Sequence, residues 1–172
     1  MRAIVAHAAR DLRIEEWPTP EIGDTQVLVR IAAGGICGSD LHYYNHGGFG
    51  IVRLREPMVL GHEIAGIVEA VGAKTSRIAV GDRVAVNPSL PCNACKFCLE
   101  GRQNHCLEMR FYGSAMRFPH VQGAFRELLI CEEAKPMSSP TASRWARRRW
   151  PNRSRSACTP PGGPDRCSAR KC

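Results

Sequence analysis

Four cysteines within a short polar segment place the strongest constraint on how this chain can fold. Cys92, Cys95, Cys98 and Cys106 follow the spacing C-x2-C-x2-C-x7-C, with Pro91 directly before them. Four thiolates at about 2.3 Å from one ion satisfy the tetrahedral geometry of zinc and leave no position for water or substrate. The spacing therefore favours a structural zinc site.

Other interpretations of this cluster stay open at this point. Iron–sulfur proteins also place cysteines two residues apart, and the thiols could carry no metal. The chain has nine cysteines, but its N-terminus shows no apolar secretory segment, which favours metal binding in a reducing compartment over disulfides. His105 could replace a cysteine as a ligand, although a solvated loop histidine is the simpler interpretation.

A second group of possible metal ligands is divided between two segments. Residues 34–44 read GGICGSDLHYY and residues 57–63 read PMVLGHE, which supply the thiolate of Cys37, the imidazole of His62 and the carboxylate of Glu63. Three protein ligands leave zinc an open position for water or an alcohol. A single Cys is more often a small apolar core residue, so Cys37 and His62 alone leave both interpretations open.

Short β-like runs separated by Gly, Pro and Asp occupy the chain as far as residue 133. The clearest runs are residues 26–31, residues 64–71 and Arg83–Val86, and Gly81 with Asp82 predicts a tight turn into the last of them. This pattern predicts a mainly β fold, a small barrel or sandwich. A length of 172 residues provides for one ordinary core.

The charge is distributed unevenly. Residues 1–134 carry 14 Lys and Arg against 15 Asp and Glu, a net charge of −1, whereas residues 135–172 carry 10 against 1, a net charge of +9. The second segment is rich in Arg, Ser and Pro and has no helical or strand period. We therefore predict one domain over residues 1–134 and a disordered basic tail over residues 135–172.

The basic tail allows an alternative function. Arg147, Arg148 and Arg149 lie between Trp145 and Trp150, and such a segment could bind nucleic acid through phosphate contacts and stacking. The chain would then be a noncatalytic zinc-binding module. No run approaches the roughly 18 apolar residues of a membrane span, so we expect a soluble cytoplasmic protein without membrane contact.

The order of these motifs resembles the medium-chain zinc-dependent alcohol dehydrogenases over residues 1–134. G-H-E is followed by a Gly-rich strand, C-G-S-D-x-H precedes it, and the four-cysteine segment follows it. The resemblance implies a GroES-like barrel with a structural-zinc lobe and two zinc ions per chain. It also implies that Cys37 and His62 bind a catalytic zinc, with Glu63 as the adjacent carboxylate.

The resemblance further implies roles for residues close to Cys37. Ser39 and His42 stand where this family commonly places a hydroxyl and an imidazole that pass the alcohol proton toward solvent, although His42 could also be a surface histidine. Asp40 is expected to be a structural hydrogen-bonding group. Tyr43 could bind a polyhydroxylated substrate or be a buried aromatic whose hydroxyl is satisfied.

Three segments narrow the resemblance to the polyol dehydrogenases and the L-idonate 5-dehydrogenase group: GGICGSDLHYY, VNPSLPCNACKFC and MRFYGSAMRFPHVQGAF. This implies a small polyol or sugar-acid substrate whose secondary alcohol is oxidised, with hydride transfer to NAD or NADP. The expected reaction is L-idonate to 5-ketogluconate. Members of this family are usually homo-oligomers. Cys131 is expected to be a small buried apolar residue.

The sequence departs from this family after the β region. The family continues with an A-E-P-L-like segment and a Rossmann domain whose Gly-rich turn holds the pyrophosphate, but the chain contains no G-x-G-x-x-G. Back-translated with permissible codons, residues 139–172 can be read in an offset frame that contains AEPL. We therefore expect that a shifted reading frame near Met137 puts the basic tail out of frame and truncates the protein after its zinc-binding domain, so that both zinc sites are encoded, the Rossmann domain is absent and catalysis is disabled.

Overall fold

Strands make up most of the regular structure in the computed structural model, which describes residues 1–134 and 136–138. The strands are β1 (Arg2–Ala8), β2 (Asp11–Glu16), β3 (Gln26–Gly35), β4 (Gly48–Phe49), β5 (Val52–Arg53), β6 (Met58–Val59), β7 (Glu63–Val71), β8 (Arg83–Val86), β9 (Ser89–Leu90), β10 (Arg110–Phe111), β11 (Leu128–Glu132) and β12 (Pro136–Ser138). The helices are α1 (Gly38–His46), α2 (Lys96–Leu99) and the 3-10 turn Gln103–His105. The predicted mainly β class is confirmed. Within the described residues, none of the helices is long and apolar enough to cross a membrane.

The largest sheet is antiparallel, with the strand order β11-β3-β7-β8-β12. The three runs predicted as strands fall on β3, β7 and β8, which are neighbours in this sheet. Residues of β7 alternate between exposed and buried, with Ile64 and Val68 inside and Glu63 and Ile67 outside, as expected for a strand with one face toward a core. The register pairs Gly35 of β3 with Glu63 of β7.

The hydrophobic core forms two main clusters of buried side chains. One lies against the large sheet and includes Val29, Val68 and Leu129. The other joins Tyr43 of α1 to Met58 and Leu60. The second cluster anchors α1 beside the segment that leads into β7, and it therefore sets the distance between the two predicted ligand segments.

Strand β12 lies within the segment that we predicted to be a disordered tail. It pairs antiparallel with β8, with Pro136 opposite Val86 and Ser138 opposite Val84. These three residues belong to the large sheet because β8 offers them an open strand edge whose backbone groups need partners. Residue 135 and residues 139–172, with the Arg run, the nucleic-acid-binding hypothesis and the proposed frame shift, lie outside the described residues.

Candidate functional site

The four cysteines of the C-x2-C-x2-C-x7-C segment come together in the lobe that contains α2 and the 3-10 turn. Their sulfur atoms all lie within 4.8 Å of one another, and the sulfurs of Cys92 and Cys98 are 4.0 Å apart. Zinc–sulfur bonds of about 2.3 Å in a tetrahedron require sulfurs separated by roughly 3.8 Å. The arrangement is therefore close to the geometry that a tetrahedral thiolate site needs.

Backbone amides of the lobe surround these sulfurs. The amides of Ala94 and Cys95 donate hydrogen bonds to the Cys92 sulfur at 3.5 and 3.3 Å, and they lower the pKa of the Cys92 thiol. The amides of Leu107 and Cys98 lower the pKa of Cys95 to about 6. These donors favour the thiolate form, which is the form that binds metal.

Cys98 shows the opposite tendency. Burial, together with its hydrogen-bonded neighbour Cys95, raises the pKa of Cys98 to about 12. A buried thiolate without a counter-charge is costly, and a cation shared by the four sulfurs would compensate that charge. The residues of the lobe thus fit a metal ion better than they fit four separate thiols.

His105 lies outside the sulfur cluster. Its side chain is exposed, and its ring centroid lies 5.9 Å from that of Phe97. The cations of Lys96 and Arg102 lie 4.9 and 5.2 Å from the Phe97 ring. This exposed packing is the environment expected of a loop histidine rather than of a ligand.

The second predicted ligand set also converges. Ligand atoms of Cys37, His62 and Glu63 lie within 4.8 Å of one another. Cys37 is the residue that precedes α1, whereas His62 directly precedes β7 and Glu63 is the first residue of that strand. Gly35 makes room for the carboxylate, because a Cβ at that position would lie 2.5 Å from Oε2 of Glu63.

Asp40 connects the two segments that carry these ligands. Its Oδ2 accepts a hydrogen bond from the Cys37 amide at 2.9 Å, which is the arrangement of an N-terminal helix cap. Its Oδ1 accepts a hydrogen bond from the Gly61 amide at 3.1 Å. Asp40 as a whole is 3% exposed, so it has the structural hydrogen-bonding environment that the sequence led us to expect.

His62 carries an orphaned polar atom. Its side chain is buried, and Nδ1 has no hydrogen-bond partner among the described residues. Oδ1 of Asp40 is 3.9 Å from Nδ1, beyond hydrogen-bonding range. Metal-binding histidines commonly turn their second ring nitrogen toward a carboxylate, and a thiolate, an imidazole and a carboxylate suit zinc. These residues therefore fit a zinc ion.

A cavity of about 260 Å³ opens beside His62. Its lining consists of Ser39, Tyr43, Phe49, His62, Met109, Arg110, Phe111, Gly113, Ser114, Met116, Arg117 and Val121. The Phe111 ring meets His62 edge-on, with ring centroids 5.2 Å apart. A mostly apolar cleft with a few polar groups next to a candidate metal site is the usual form of a small-molecule site.

The residues predicted near Cys37 occupy different positions around this cavity. Ser39 is half-buried in its lining, whereas His42 is exposed and does not line it. The Tyr43 ring is buried, and its hydroxyl accepts a hydrogen bond from the Ala115 amide at 2.9 Å. Cys131 is buried in the core cluster of the large sheet, away from both ligand sets.

Residues 109–117 contribute most of the cavity lining that sequence reasoning did not assign. The segment MRFYGSAMR was used only as a family resemblance, because it has neither a helical nor a strand period. Its concentration of cationic, aromatic and Met side chains directly after the cysteine lobe is the signal that could have marked it as a pocket wall.

Comparison with known proteins gives one matching family and several similar sequences. Residues 23–141 match the family described as the alcohol dehydrogenase GroES-like domain. Sorbitol dehydrogenase of Bacillus subtilis is 46% identical over 125 residues, which cover 73% of this chain and 34% of that protein. L-idonate 5-dehydrogenase (NAD(P)(+)) of Escherichia coli is 49% identical over 113 residues, which cover 66% of this chain and 32% of that protein.

Two solved structures of dehydrogenases superpose on this chain. The crystal structure of Escherichia coli L-idonate 5-dehydrogenase superposes with a TM-score of 0.76 at 42% identity, covering 81% of this chain and 39% of that one. Galactitol-1-phosphate dehydrogenase from Escherichia coli gives a TM-score of 0.71 at 34% identity, covering 83% and 39%. The aligned part of the chain thus spans about a third of the length of its curated relatives.

Proposed function

The chain belongs to the family of alcohol dehydrogenase GroES-like domains, and we propose that it is the zinc- and substrate-binding part of a polyol or sugar-acid dehydrogenase. The proposed reaction oxidises a secondary alcohol, with L-idonate converted to 5-ketogluconate and hydride transferred to NAD or NADP. The observation that carries this proposal is the convergence of Cys37, His62 and Glu63 beside a small-molecule cavity.

Cys37, His62 and Glu63 are proposed to hold the catalytic zinc. Zinc bound there would supply a Lewis acid that lowers the pKa of the substrate hydroxyl. Asp40 is proposed to position both sides of the site, since it binds the amides of Cys37 and Gly61. Cys92, Cys95, Cys98 and Cys106 are proposed to hold a second, structural zinc ion.

Ser39, His42 and Tyr43 are proposed to handle the substrate and its proton. The Ser39 hydroxyl lines the cavity and is proposed to accept the proton of the reacting alcohol as it passes its own proton toward His42, whose exposed imidazole then releases a proton to solvent. Tyr43 uses its oxygen to accept from Ala115, which leaves its O–H proton for a substrate hydroxyl. The roles of Ser39 and Tyr43 are supported by their place in the cavity lining, and that of His42 by its exposure to solvent on the same helix as Ser39.

NAD or NADP is proposed to bind outside this domain, because the sequence has no G-x-G-x-x-G turn for its pyrophosphate. The 172-residue chain is accordingly proposed to bind zinc and substrate but to show negligible turnover alone. Measurable NAD-dependent oxidation of L-idonate or sorbitol by the purified chain would contradict that part of the proposal.

Zinc analysis of the purified chain tests the proposed function directly. We expect two zinc ions per chain and one after Cys37→Ser, His62→Ala or Cys95→Ser, each of which removes a ligand from one site. Cys131→Ala is the matched control, because Cys131 is a buried core residue outside both ligand sets. An unchanged zinc content in Cys37→Ser and His62→Ala would overturn the catalytic-site assignment.

A further inference from the structure

The cavity beside His62 has a cationic lining. Arg110 and Arg117 both line it, and among the described residues of that lining none is acidic. Neutral polyols are recognised through hydroxyl, amide or carboxylate groups, whereas guanidinium groups match the planar geometry of carboxylate and phosphate. Two arginines without a carboxylate in the lining therefore favour an anionic ligand.

Arg110 is available for such a ligand. It precedes Phe111 in β10, and the Phe111 ring contacts His62. Its side chain forms no hydrogen bond or ion pair within residues 1–134, and the residue is exposed. This guanidinium therefore has a charge that no side chain of the described domain neutralises.

Arg117 is held in place by contacts with Leu107 and Glu108. Its Nη2 donates to the Leu107 carbonyl at 2.6 Å and lies 3.1 Å from Oε2 of Glu108. Its Nε is buried and has no hydrogen-bond partner in the described part of the chain. Glu108 offsets the charge of Arg117. The net positive charge of Arg110, Arg117 and Glu108 together therefore comes from Arg110.

We propose that Arg110 and Arg117 form a subsite for a terminal anionic group on an open-chain polyol, so that the domain selects polyol acids or phosphates over neutral polyols. This inference rests on the proposed function, because it takes the cavity beside His62 as the substrate pocket. Arg110 supplies the uncompensated charge, and Arg117 supplies a guanidinium that Glu108 and Leu107 have already oriented. The reacting alcohol then lies toward His62 and Ser39, and the anionic end lies toward the arginines.

Binding by the zinc-loaded 172-residue chain tests this subsite without requiring turnover. Isothermal titration calorimetry would compare L-idonate, galactitol 1-phosphate and sorbitol. We expect at least one of the two anions to bind about tenfold or more tightly than sorbitol, since hydrogen bonds to charged groups are worth this much. The anion that binds more tightly identifies the terminal group as carboxylate or phosphate.

Substitution of the arginines tests whether the preference for an anion over sorbitol comes from this subsite. Arg110→Gln is expected to reduce the advantage of the anion over sorbitol by about tenfold. Arg117→Gln should act in the same direction. Arg83→Gln is the matched control, because Arg83 is exposed on β8, outside the cavity lining, and it removes the same charge. Rising salt should weaken anion binding to the parent chain more than to Arg110→Gln.

Equal affinities for sorbitol and both anions would overturn the subsite, as would equal losses in Arg83→Gln and Arg110→Gln. Absence of saturable binding by either anion would also overturn it. Failure of the proposed function has a different signature, namely a zinc content that does not respond to Cys37→Ser or His62→Ala. A chain that holds both zinc ions and binds sorbitol as tightly as both L-idonate and galactitol 1-phosphate would overturn the anionic subsite alone.

Discussion

Oδ1 of Asp40 accepts a hydrogen bond from the amide of Gly61 at 3.1 Å, within the interior of the domain. The two residues are 21 positions apart in the chain. The other oxygen of the same carboxylate binds the Cys37 amide. One buried side chain thus fixes the separation of the segments that carry Cys37 and His62, and the candidate catalytic site depends on it.

Replacing Asp40 by Asn should weaken both the fold and the second metal site. The amide group of Asn cannot accept from two backbone N–H groups as the carboxylate does, and we expect a loss of about 1.5–3 kcal/mol in the free energy of unfolding. Urea denaturation and zinc analysis should show lower stability and a weakened catalytic zinc, with the four-cysteine site retained. Asp24→Asn, which breaks only the exposed pair with Lys74, should cost less than about 1 kcal/mol. Equal effects of the two variants would contradict the positioning role of Asp40.

Substitution of Gly61 tests how closely the backbone directly before His62 packs against Phe125. It has a φ of 90°, and an added Cβ would lie 2.2 Å from the Phe125 ring. Gly81 has a φ of 92° but has nothing within 4 Å of an added Cβ. Gly81→Ala should therefore cost about 1–2 kcal/mol from the backbone alone, and Gly61→Ala should cost about 1–3 kcal/mol more from overpacking. Chemical denaturation of both variants gives this difference, and similar values for both would show that Phe125 moves aside freely.

Removal of a single sulfur should empty the four-cysteine site. Cys98→Ala takes away the most buried thiol of the cluster, and we expect the loss of one of the two proposed zinc ions together with faster proteolysis within residues 92–106. Cys131→Ala removes a buried thiol from the main core and should keep both zinc ions, at a cost of about 1 kcal/mol. Zinc analysis and limited proteolysis measure the two effects. An intact zinc content in Cys98→Ala would show that the remaining ligands are sufficient.

Glu133 should contribute stability that depends on pH. Hydrogen bonds from the backbone amides of Arg77 and Ser76 hold its pKa below the ordinary value of 4.5. A carboxyl group whose pKa is lowered by folding stabilises the folded state above its unfolded pKa, and this contribution is lost as the pH falls through the folded pKa. Parent chain and Glu133→Gln should therefore differ in melting temperature at pH 6, and the difference should shrink as the pH falls below the ordinary pKa of 4.5 and through the lowered pKa of the folded state. A constant difference across this range would contradict the role of the charge.

Much of the site could be read from the sequence because its ligands are chemically distinctive. Cysteines spaced two residues apart are close in any compact loop, so the cluster of Cys92, Cys95 and Cys98 followed from local spacing. The strands β3, β7 and β8 were visible because their alternating apolar residues show the period of a half-buried strand. The pairing of β12 with β8 was missed, because Pro136–Ser138 shows no such period and gains its partner only from an open sheet edge.

The sequence by itself determined which groups can bind a metal and which stretches can form strands, since both depend on residue types and short spacings. Only the tertiary structure decided that Asp40 contacts both ligand segments, that the Tyr43 hydroxyl accepts from Ala115, and that Arg110 and Arg117 line the cavity beside His62. The reason is physical: these contacts join residues from distant parts of the chain, and their distances depend on how the buried side chains of the whole domain pack.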